Sequence, residues 1–288
     1  MVRENPMELA VDAISSAEAL LVTAGAGIGV DSGLPDFRGP EGFWKAYPPF
    51  ARLGLSFVDL ANPGWFSRDP ELAWGFYGHR LGLYRATRPH RGFAHLGEIA
   101  ASMPRGSFVF TSNVDGQFQA AGFDEDRIVE CHGSIHHLQC CTPCSASIWS
   151  ADDLTVDVDE RSMRARPPLP SCPHCGGPAR PNILMFGDWS WLPSRTSCQE
   201  ERLQEWLEKN ADAALAVIEI GAGTSVPTVR MLSERVAARS GAHLLRINPR
   251  EPHVPPGQLF LPLPAAEALA EIHRKWCHRR TGNRHPNA

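Results

Sequence analysis

The chain has 288 residues, 43% of them hydrophobic, and a formal net charge of -4. This length allows a large core, in one large domain or in one large and one small domain, and the charge gives no reason to expect nucleic acid or an anionic membrane as a partner. No apolar run approaches the roughly 20 residues of a membrane span, and the N-terminus lacks the apolar stretch of a signal peptide, so we expect a cytoplasmic protein.

Short apolar runs alternate with stretches of helical periodicity along the chain. The apolar runs have the length of buried strands and lie at residues 19–23, 107–111, 214–220 and 243–247. The helical stretches lie at residues 11–17, 90–101, 200–210 and 228–240. Strands that alternate with helices predict an α/β fold, in which a Rossmann-like parallel sheet is covered on both faces.

Two regions interrupt this alternation. Residues 40–88 are rich in aromatic residues, Gly and Pro and predict a helical module. Residues 139–180 hold five of the eight cysteines and predict an inserted zinc-binding module. The remaining segments, 1–39, 89–138 and 181–276, would form a discontinuous Rossmann-like domain, and the basic segment 277–288 a flexible tail.

The first strand leads directly into Gly25, Ala26 and Gly27. Bare backbone N–H groups at such a turn can hold a phosphate, and glycine allows the phosphate a close approach. The spacing is G-x-G-x-G rather than the full dinucleotide fingerprint, so the glycines alone fit a tight turn equally well. Asp36, Phe37 and Arg38 follow, and an arginine there can bind phosphate or fix a carboxylate.

Five groups of residues carry the strongest pattern. They are Gly25-Ala-Gly27 with Ser32-Gly-Leu-Pro-Asp-Phe-Arg-Gly39, Thr111-Ser-Asn-Val-Asp-Gly116, Glu130-Cys-His-Gly-Ser134, Arg180-Pro-Asn-Ile-Leu-Met-Phe-Gly-Asp188, and Gly223-Thr-Ser225 with Ile247-Asn248. In this order they resemble the motifs of the sirtuins, which are NAD-dependent protein-lysine deacylases. The resemblance implies that the chain binds NAD and Zn²⁺ and converts acyl-lysine to free lysine, with nicotinamide and 2'-O-acyl-ADP-ribose as products. Two alternatives remain: a mono-ADP-ribosyltransferase or NAD hydrolase on the same fold, and a non-catalytic binding module.

The resemblance assigns roles to polar residues at the predicted strand ends. Those implied to bind NAD are Gly25, Ala26, Gly27, Asp36, Phe37, Arg38, Ser112, Asn113, Asp115, Gly223, Thr224, Ser225 and Asn248. Asn113 would contact the ribose, Asp115 the nicotinamide amide, and Asn248 the adenosine ribose. Turn formation at a strand end is the alternative for each of them. Ser112 and Phe118 depart from the family pattern, which usually has Gln and His there.

His132 is the predicted general base, acting together with Asn113 and Asp115 as the catalytic residues. A neutral imidazole can accept a proton near pH 7, although a lone histidine is usually structural. The sirtuin-like context of residues 130–134 separates His132 from its neighbours His136 and His137.

The cysteine spacing predicts a zinc site. Cys172 and Cys175 form a C-x-x-C pair, and Cys141 and Cys144 have the same spacing. Alignment with the family from His132 instead places the first ligand at Cys140. We therefore predict Cys140, Cys144, Cys172 and Cys175 as ligands, with Cys141 as the rival. Four thiolates would make a closed, structural site.

The acyl-peptide substrate has two predicted contact regions. By resemblance, Phe186, Gly187 and Asp188 line the peptide channel, where their backbone would pair with an extended peptide. Tyr77 and Arg80 form a Tyr-x-x-Arg pair that in one sirtuin class binds the carboxylate of succinyl- or malonyl-lysine. These two side chains would share one face of a helix. The alternative is that Tyr77 packs in the core while Arg80 is solvated or pairs with an acid.

Overall fold

The computed structural model describes residues 5–36, 39–239 and 241–282. Its helices are α1 (Pro6–Ser16), α2 (Gly39–Ala46), α3 (Pro48–Arg52), α4 (Phe57–Leu60), α5 (Trp65–Arg68), α6 (Pro70–Ala86), α7 (Arg91–Ala101), α8 (Gln117–Ala120), α9 (Ser194–Lys209), α10 (Thr228–Ala237) and α11 (Ala265–Gly282). Its strands are β1 (Ala19–Ala24), β2 (Ser107–Thr111), β3 (Ile128–Glu130), β4 (Gly133–Cys140), β5 (Ile148–Ser150), β6 (Val158–Asp159), β7 (Arg164–Ala165), β8 (Ala179–Ile183), β9 (Leu215–Ile220), β10 (Ala242–Ile247) and β11 (Leu259–Leu261). Short 3₁₀ helices lie at Ala26–Ser32 and Glu125–Arg127.

A six-stranded parallel sheet forms the larger part of the molecule, in the order β11-β10-β9-β1-β2-β3. Every residue of β1 and β9 is buried, which explains why these strands read as continuous apolar runs. Leu20 and Val22 pack with α1, α7 and α11 on one face, whereas Ala19 and Leu21 pack with α9 and α10 on the other. This alternation follows from the two-residue period of a strand, and the predicted α/β fold is confirmed.

The smaller part contains α2 to α6 and two antiparallel sheets, one with the strand order β5-β4-β8 and one formed by β6 and β7. Its core is aromatic, and rings of Phe43, Tyr47, Phe50 and Phe76 lie 5.3 to 6.1 Å apart between centroids. Such edge and offset contacts add to the stabilisation from apolar burial. Strand β4 continues to Cys140, and β8 begins at Ala179, so both strands cross the boundaries predicted for the cysteine-rich module.

Helix α11 ends at Gly282 and therefore includes the first six residues of the predicted tail. Arg279 pairs with Glu8 and Asp12 of α1, and Lys275 pairs with Glu8. The prediction of a tail from residue 277 is wrong for residues 277–282, because acidic residues of α1 bind the basic side chains there. Residues 283–288 lie outside the described part of the chain. None of the described helices is long and apolar enough to cross a membrane.

Candidate active site

A cavity of about 970 Å³ lies at the carboxyl ends of β1, β2 and β9, where the sheet meets the smaller part. Open α/β sheets bind ligands at this edge. Several residues predicted to bind NAD line the wall of this cavity: Gly25, Ala26, Asp36, Ser112, Gly223 and Ser225. The three predicted catalytic residues, Asn113, Asp115 and His132, line it as well, and so do the predicted substrate residues Tyr77, Arg80, Phe186, Gly187 and Asp188. Phe37 and Arg38 lie outside the described residues.

The glycine turn after β1 is packed against the loop that follows β9. A Cβ atom on Gly27 would lie 2.6 Å from the Cα atom of Gly221, and one on Gly25 would lie 2.8 Å from the Cα atom of Ala222. The N–H of Gly25 donates to the carbonyl of Ile220, and that of Gly27 donates to the carbonyl of Gly221, both at 3.0 Å. The prediction that these two N–H groups are bare is therefore wrong. Glycine is required here because two backbone segments touch, and Gly27 does not line the cavity.

The loop after β2 is tied to the same turn. The Thr111 hydroxyl donates to the Ala24 carbonyl at 3.0 Å, and the Asn113 side-chain amide donates to the Gly25 carbonyl at 3.2 Å. The backbone N–H of Ser112 also donates to the Ala24 carbonyl, at 3.1 Å. These bonds fix Asn113 beside the glycine turn and leave its amide oxygen for a ligand.

The side chain of Asp115 forms a turn at the end of β2 and also lines the cavity, so the two alternatives predicted for it do not exclude each other. Its Oδ1 accepts the backbone N–H of Gln117 at 3.0 Å, as in an Asx turn. Burial raises the pKa of the Asp115 carboxyl to about 6, an effect that Glu130 strengthens and Arg80 opposes. The carboxylate is therefore ionised above about pH 6 and can then accept an amide N–H from a ligand.

His132 lies between β3 and β4, where its backbone is fixed on both sides. The N–H of Cys131 donates to the Thr111 carbonyl at 2.9 Å, and the His132 carbonyl accepts from Leu184 at 3.0 Å. Gly133 follows with φ +77°, and a Cβ atom there would lie 2.1 Å from the carbonyl oxygen of Asn182, so only glycine fits. Burial lowers the pKa of His132, although a hydrogen bond to the Ser112 backbone opposes the shift. The imidazole is consequently neutral at pH 7 and able to accept a proton.

The residues around His132 are structural. Cys131 is buried in the core, and burial raises the pKa of its thiol. Glu130 is also buried, and it pairs with Arg195 of α9 at 2.6 Å. This ion pair, together with a bond from the Thr196 hydroxyl to the Glu130 carbonyl at 3.1 Å, docks α9 against β3.

Tyr77 and Arg80 lie on α6 at the end of the cavity that faces the smaller part. Arg80 is only 5% exposed, which excludes the alternative of a solvated guanidinium. Its Nε and Nη2 donate to the Tyr84 hydroxyl at 3.0 and 2.8 Å. The buried Tyr77 hydroxyl has no hydrogen-bond partner among the described residues. Tyr84, which also lines the cavity, was missed by sequence reasoning. It lies seven residues after Tyr77, a spacing that returns to the same helix face.

Asp188 lines the cavity, as predicted for a channel residue, and its side chain has a structural partner as well. Its carboxylate is buried against Arg180, with two hydrogen bonds of 2.7 and 2.9 Å, and accepts the Ser190 N–H at 3.1 Å. The Asp188 side chain therefore holds the loop in place. Phe186, 40% exposed, and Trp189, 99% exposed, lie on the outer side of this loop at the cavity mouth.

Asn248 is fully buried and does not line the cavity. Its amide donates to the Ala222 carbonyl at 2.9 Å, and its Oδ1 accepts the backbone N–H groups of Arg250 and Glu251. The amide thus joins the loops after β9 and β10, and the ribose contact of Asn248 stays a prediction. Glu251, which sequence reasoning missed, lines the cavity instead, while Thr224 does not.

The four predicted zinc ligands come together in the smaller part. The Sγ atoms of Cys140, Cys144, Cys172 and Cys175 all lie within 4.8 Å of one another. The pairing of β4 with β8, which sets Cys140 opposite Ala179, brings the two ends of the module together. Cys141 is not in the cluster, which decides between the two candidates in favour of Cys140. Four thiols so arranged suit a tetrahedral zinc ion.

Comparisons with known proteins agree with this site. The family model described as Sir2 family matches residues 25–227. An NAD-dependent protein deacylase 2 of Pyrobaculum aerophilum is 33% identical over 91% of this chain and 92% of its own length, and an NAD-dependent protein deacylase of Thermus thermophilus is 33% identical over 92% of both chains. The crystal structure of a Sir2 homologue in complex with NAD superposes with a TM-score of 0.72 at 26% identity, covering 94% of each chain. The chain belongs to the Sir2 family, the sirtuins.

Proposed function

We propose that this chain removes acyl groups from protein lysines in a reaction that consumes NAD. The observation that carries the proposal is the single cavity wall that contains Asn113, Asp115 and the neutral imidazole of His132 beside the glycine turn. The names of the relatives, NAD-dependent protein deacylases, support the same reaction. A volume of about 970 Å³ is at the upper end of ordinary ligand pockets, which leaves room for a dinucleotide and an acyl-lysine side chain.

The residues of the cavity fit distinct tasks in this reaction. NAD, when bound, supplies the ADP-ribosyl group that takes the acyl group from lysine as nicotinamide leaves. The ionised Asp115 would hold the nicotinamide amide, and the free oxygen of Asn113 would position the ribose. His132, neutral at pH 7, would take the proton of a ribose hydroxyl at its ring nitrogen. The reaction consumes one water molecule as lysine is released, and the apolar rims of the cavity, Phe57 and Val226 among them, would limit the access of further water to the reacting groups.

The zinc ion would have a structural role. Four thiolates complete a tetrahedral shell and leave no open position for chemistry. Bound there, the ion would join the end of β4 to the loop before β8, and thereby hold the smaller part in shape.

The acyl group that best fits the cavity carries a terminal carboxylate, such as succinyl or malonyl. Arg80 and the Tyr77 hydroxyl, which has no hydrogen-bond partner within the described part of the chain, are buried at the acyl end of the cavity. A charge-assisted contact in such an apolar environment would favour an acidic acyl group over acetyl.

The proposed reaction is tested by incubating the protein with NAD and acetyl- and succinyl-lysine peptides, then measuring the masses of both products. Deacylated peptide and acyl-ADP-ribose formed in equal amounts are the expected result. Free ADP-ribose without deacylated peptide would identify an NAD hydrolase instead, and ADP-ribose attached to a protein would identify a transferase.

A further inference from the structure

The acyl end of the cavity contains three polar side chains on one face of α6. Tyr77, Arg80 and Tyr84 stand at positions i, i+3 and i+7, so they project in the same direction. Their exposed fractions are 1%, 5% and 7%, and all three line the cavity. Such buried polar groups need hydrogen-bond partners.

Tyr84 already accepts two of these bonds. The Nε and Nη2 of Arg80 both donate to its hydroxyl oxygen, at 3.0 and 2.8 Å. An oxygen that accepts two N–H groups has used both lone pairs, so what remains is its own proton. Burial raises the pKa of the phenol, although Arg80 opposes the shift, and the proton therefore stays on the oxygen throughout the neutral range.

The cluster as a whole is rich in donors and poor in acceptors. The Tyr77 hydroxyl is buried without a partner among the described residues, and a guanidinium has no acceptor at all. The carboxyl group of Asp115 acts on Tyr84 and is itself influenced by Arg80, and its Oδ1 accepts from Gln117. A ligand that bonds to the hydroxyl protons of Tyr77 and Tyr84 must bring acceptor lone pairs, and a carboxylate brings about four.

We infer that Tyr84 is a third recognition residue for the acyl group: it fixes the orientation of the Arg80 guanidinium and donates its hydroxyl proton to the terminal carboxylate of a dicarboxylic acyl-lysine. This inference rests on the proposed deacylase function and adds a residue to it. Since the Nε and Nη2 of Arg80 both donate to the Tyr84 hydroxyl, loss of that hydroxyl would also release the guanidinium from its present orientation. Selectivity for acidic acyl groups would then depend on Tyr84 as well as on Tyr77 and Arg80.

The test is Tyr84→Phe, assayed with matched acetyl- and succinyl-lysine peptides. A hydrogen bond to a charged group is worth about 1.5–3 kcal/mol, so the ratio of kcat/KM for succinyl over acetyl should fall about 10- to 100-fold. The acetyl value should change less than about threefold. The Kd of the succinyl peptide, measured by fluorescence anisotropy without NAD, should rise by a similar factor.

Tyr47→Phe is the matched control, since it removes the same atom from the same aromatic core, at a residue that is buried but does not line the cavity. The Tyr47 hydroxyl contacts His79 at 3.3 Å and acts on Arg80 electrostatically, so the succinyl-to-acetyl ratio of Tyr47→Phe should fall far less than that of Tyr84→Phe. Equal loss on both peptides in Tyr84→Phe would overturn the inference, because Tyr84 would then serve Asp115 or the fold rather than the acyl group. A preference of the unaltered protein for acetyl would overturn it too, leaving the deacylase function intact; turnover of neither peptide would contradict the deacylase function itself.

Discussion

At the residue scale, proton balance in the cavity depends on two buried groups whose pKa values are shifted by desolvation. Burial raises the pKa of Asp115 to about 6 and lowers that of His132. In both cases burial disfavours the charged form. In the active form, Asp115 is therefore ionised and His132 is neutral. Both groups become protonated as the pH falls, so this form is lost.

We expect kcat/KM for NAD to be level above about pH 7 and to fall below about pH 6, since protonated Asp115 loses an acceptor and protonated His132 cannot act as a base. The measurement is a pH–rate profile with saturating peptide, over the range in which circular dichroism shows an intact fold. Full activity at pH 5 would contradict these assignments.

Arg80 is the residue with the clearest expected effect on substrate choice. Arg80→Met should reduce kcat/KM for a succinyl peptide by about 100-fold, because a charge-assisted contact worth about 3 kcal/mol is lost. The acetyl value should change little, since an uncharged acyl group makes no such contact. Parallel progress curves with the two peptides measure this, and equal losses would mean that Arg80 supports the fold rather than the acyl group.

The sequence alone could not show how the polar side chains at the strand ends are bonded. Asn248 follows a strand, like Asn113, yet only Asn113 faces the cavity, because the Asn248 amide is consumed by Ala222 and the turn at 250–251. Asp188 similarly has a buried partner, Arg180, in its own motif. The sequence shows that such a residue lies at the end of a strand. The direction of its side chain depends on how the neighbouring loops pack.

At the element scale, β1, β2, β9 and β10 were predictable because each is a short, mainly apolar run in a sheet covered on both faces. Strands β3 and β11 have three residues each and pair only because a neighbouring strand offers an edge. Helix α9 begins at Ser194, six residues before its predicted start, since its polar first turn shows no helical periodicity and is held by contacts with Glu130.

The cysteine module offers a test with an internal control. Cys140→Ser should abolish binding of one zinc per chain and lower the thermal midpoint, because the four thiols of the cluster act together. Cys141→Ser changes a residue that is next to Cys140 but outside the cluster. This variant should keep the bound zinc and an unchanged thermal midpoint. Zinc content by atomic absorption and thermal unfolding measure the difference.

The opposite pattern, with zinc lost from Cys141→Ser and kept by Cys140→Ser, would show that the register of the β4–β8 pair differs from the one described. The sequence left this choice open because Cys141 and Cys144 have the usual spacing. The pairing of Cys140 with Ala179 resolves it.

At the scale of the whole molecule, the cavity exists because two separately packed cores meet at one edge of the sheet. The parallel sheet contributes its strand ends and loops, and the aromatic core of the smaller part contributes α6 and the loop at 183–189. The order of motifs along the chain implied that these parts act together, by resemblance to the sirtuins. Their actual approach depends on contacts such as the hydrogen bond of 3.0 Å from the N–H of Ile135 in β4 to the carbonyl of Val114 after β2, which no local pattern encodes.

The central claim is that NAD lies between the glycine turn at Gly25 and the imidazole of His132. A crystal structure of the complex with NAD and an acyl-lysine peptide tests it most directly. We expect the nicotinamide ribose within hydrogen-bond distance of His132 and Asn113, and the acyl end of the peptide beside Tyr77, Arg80 and Tyr84. A dinucleotide bound elsewhere, or a His132 ring turned away from the ribose, would contradict the account.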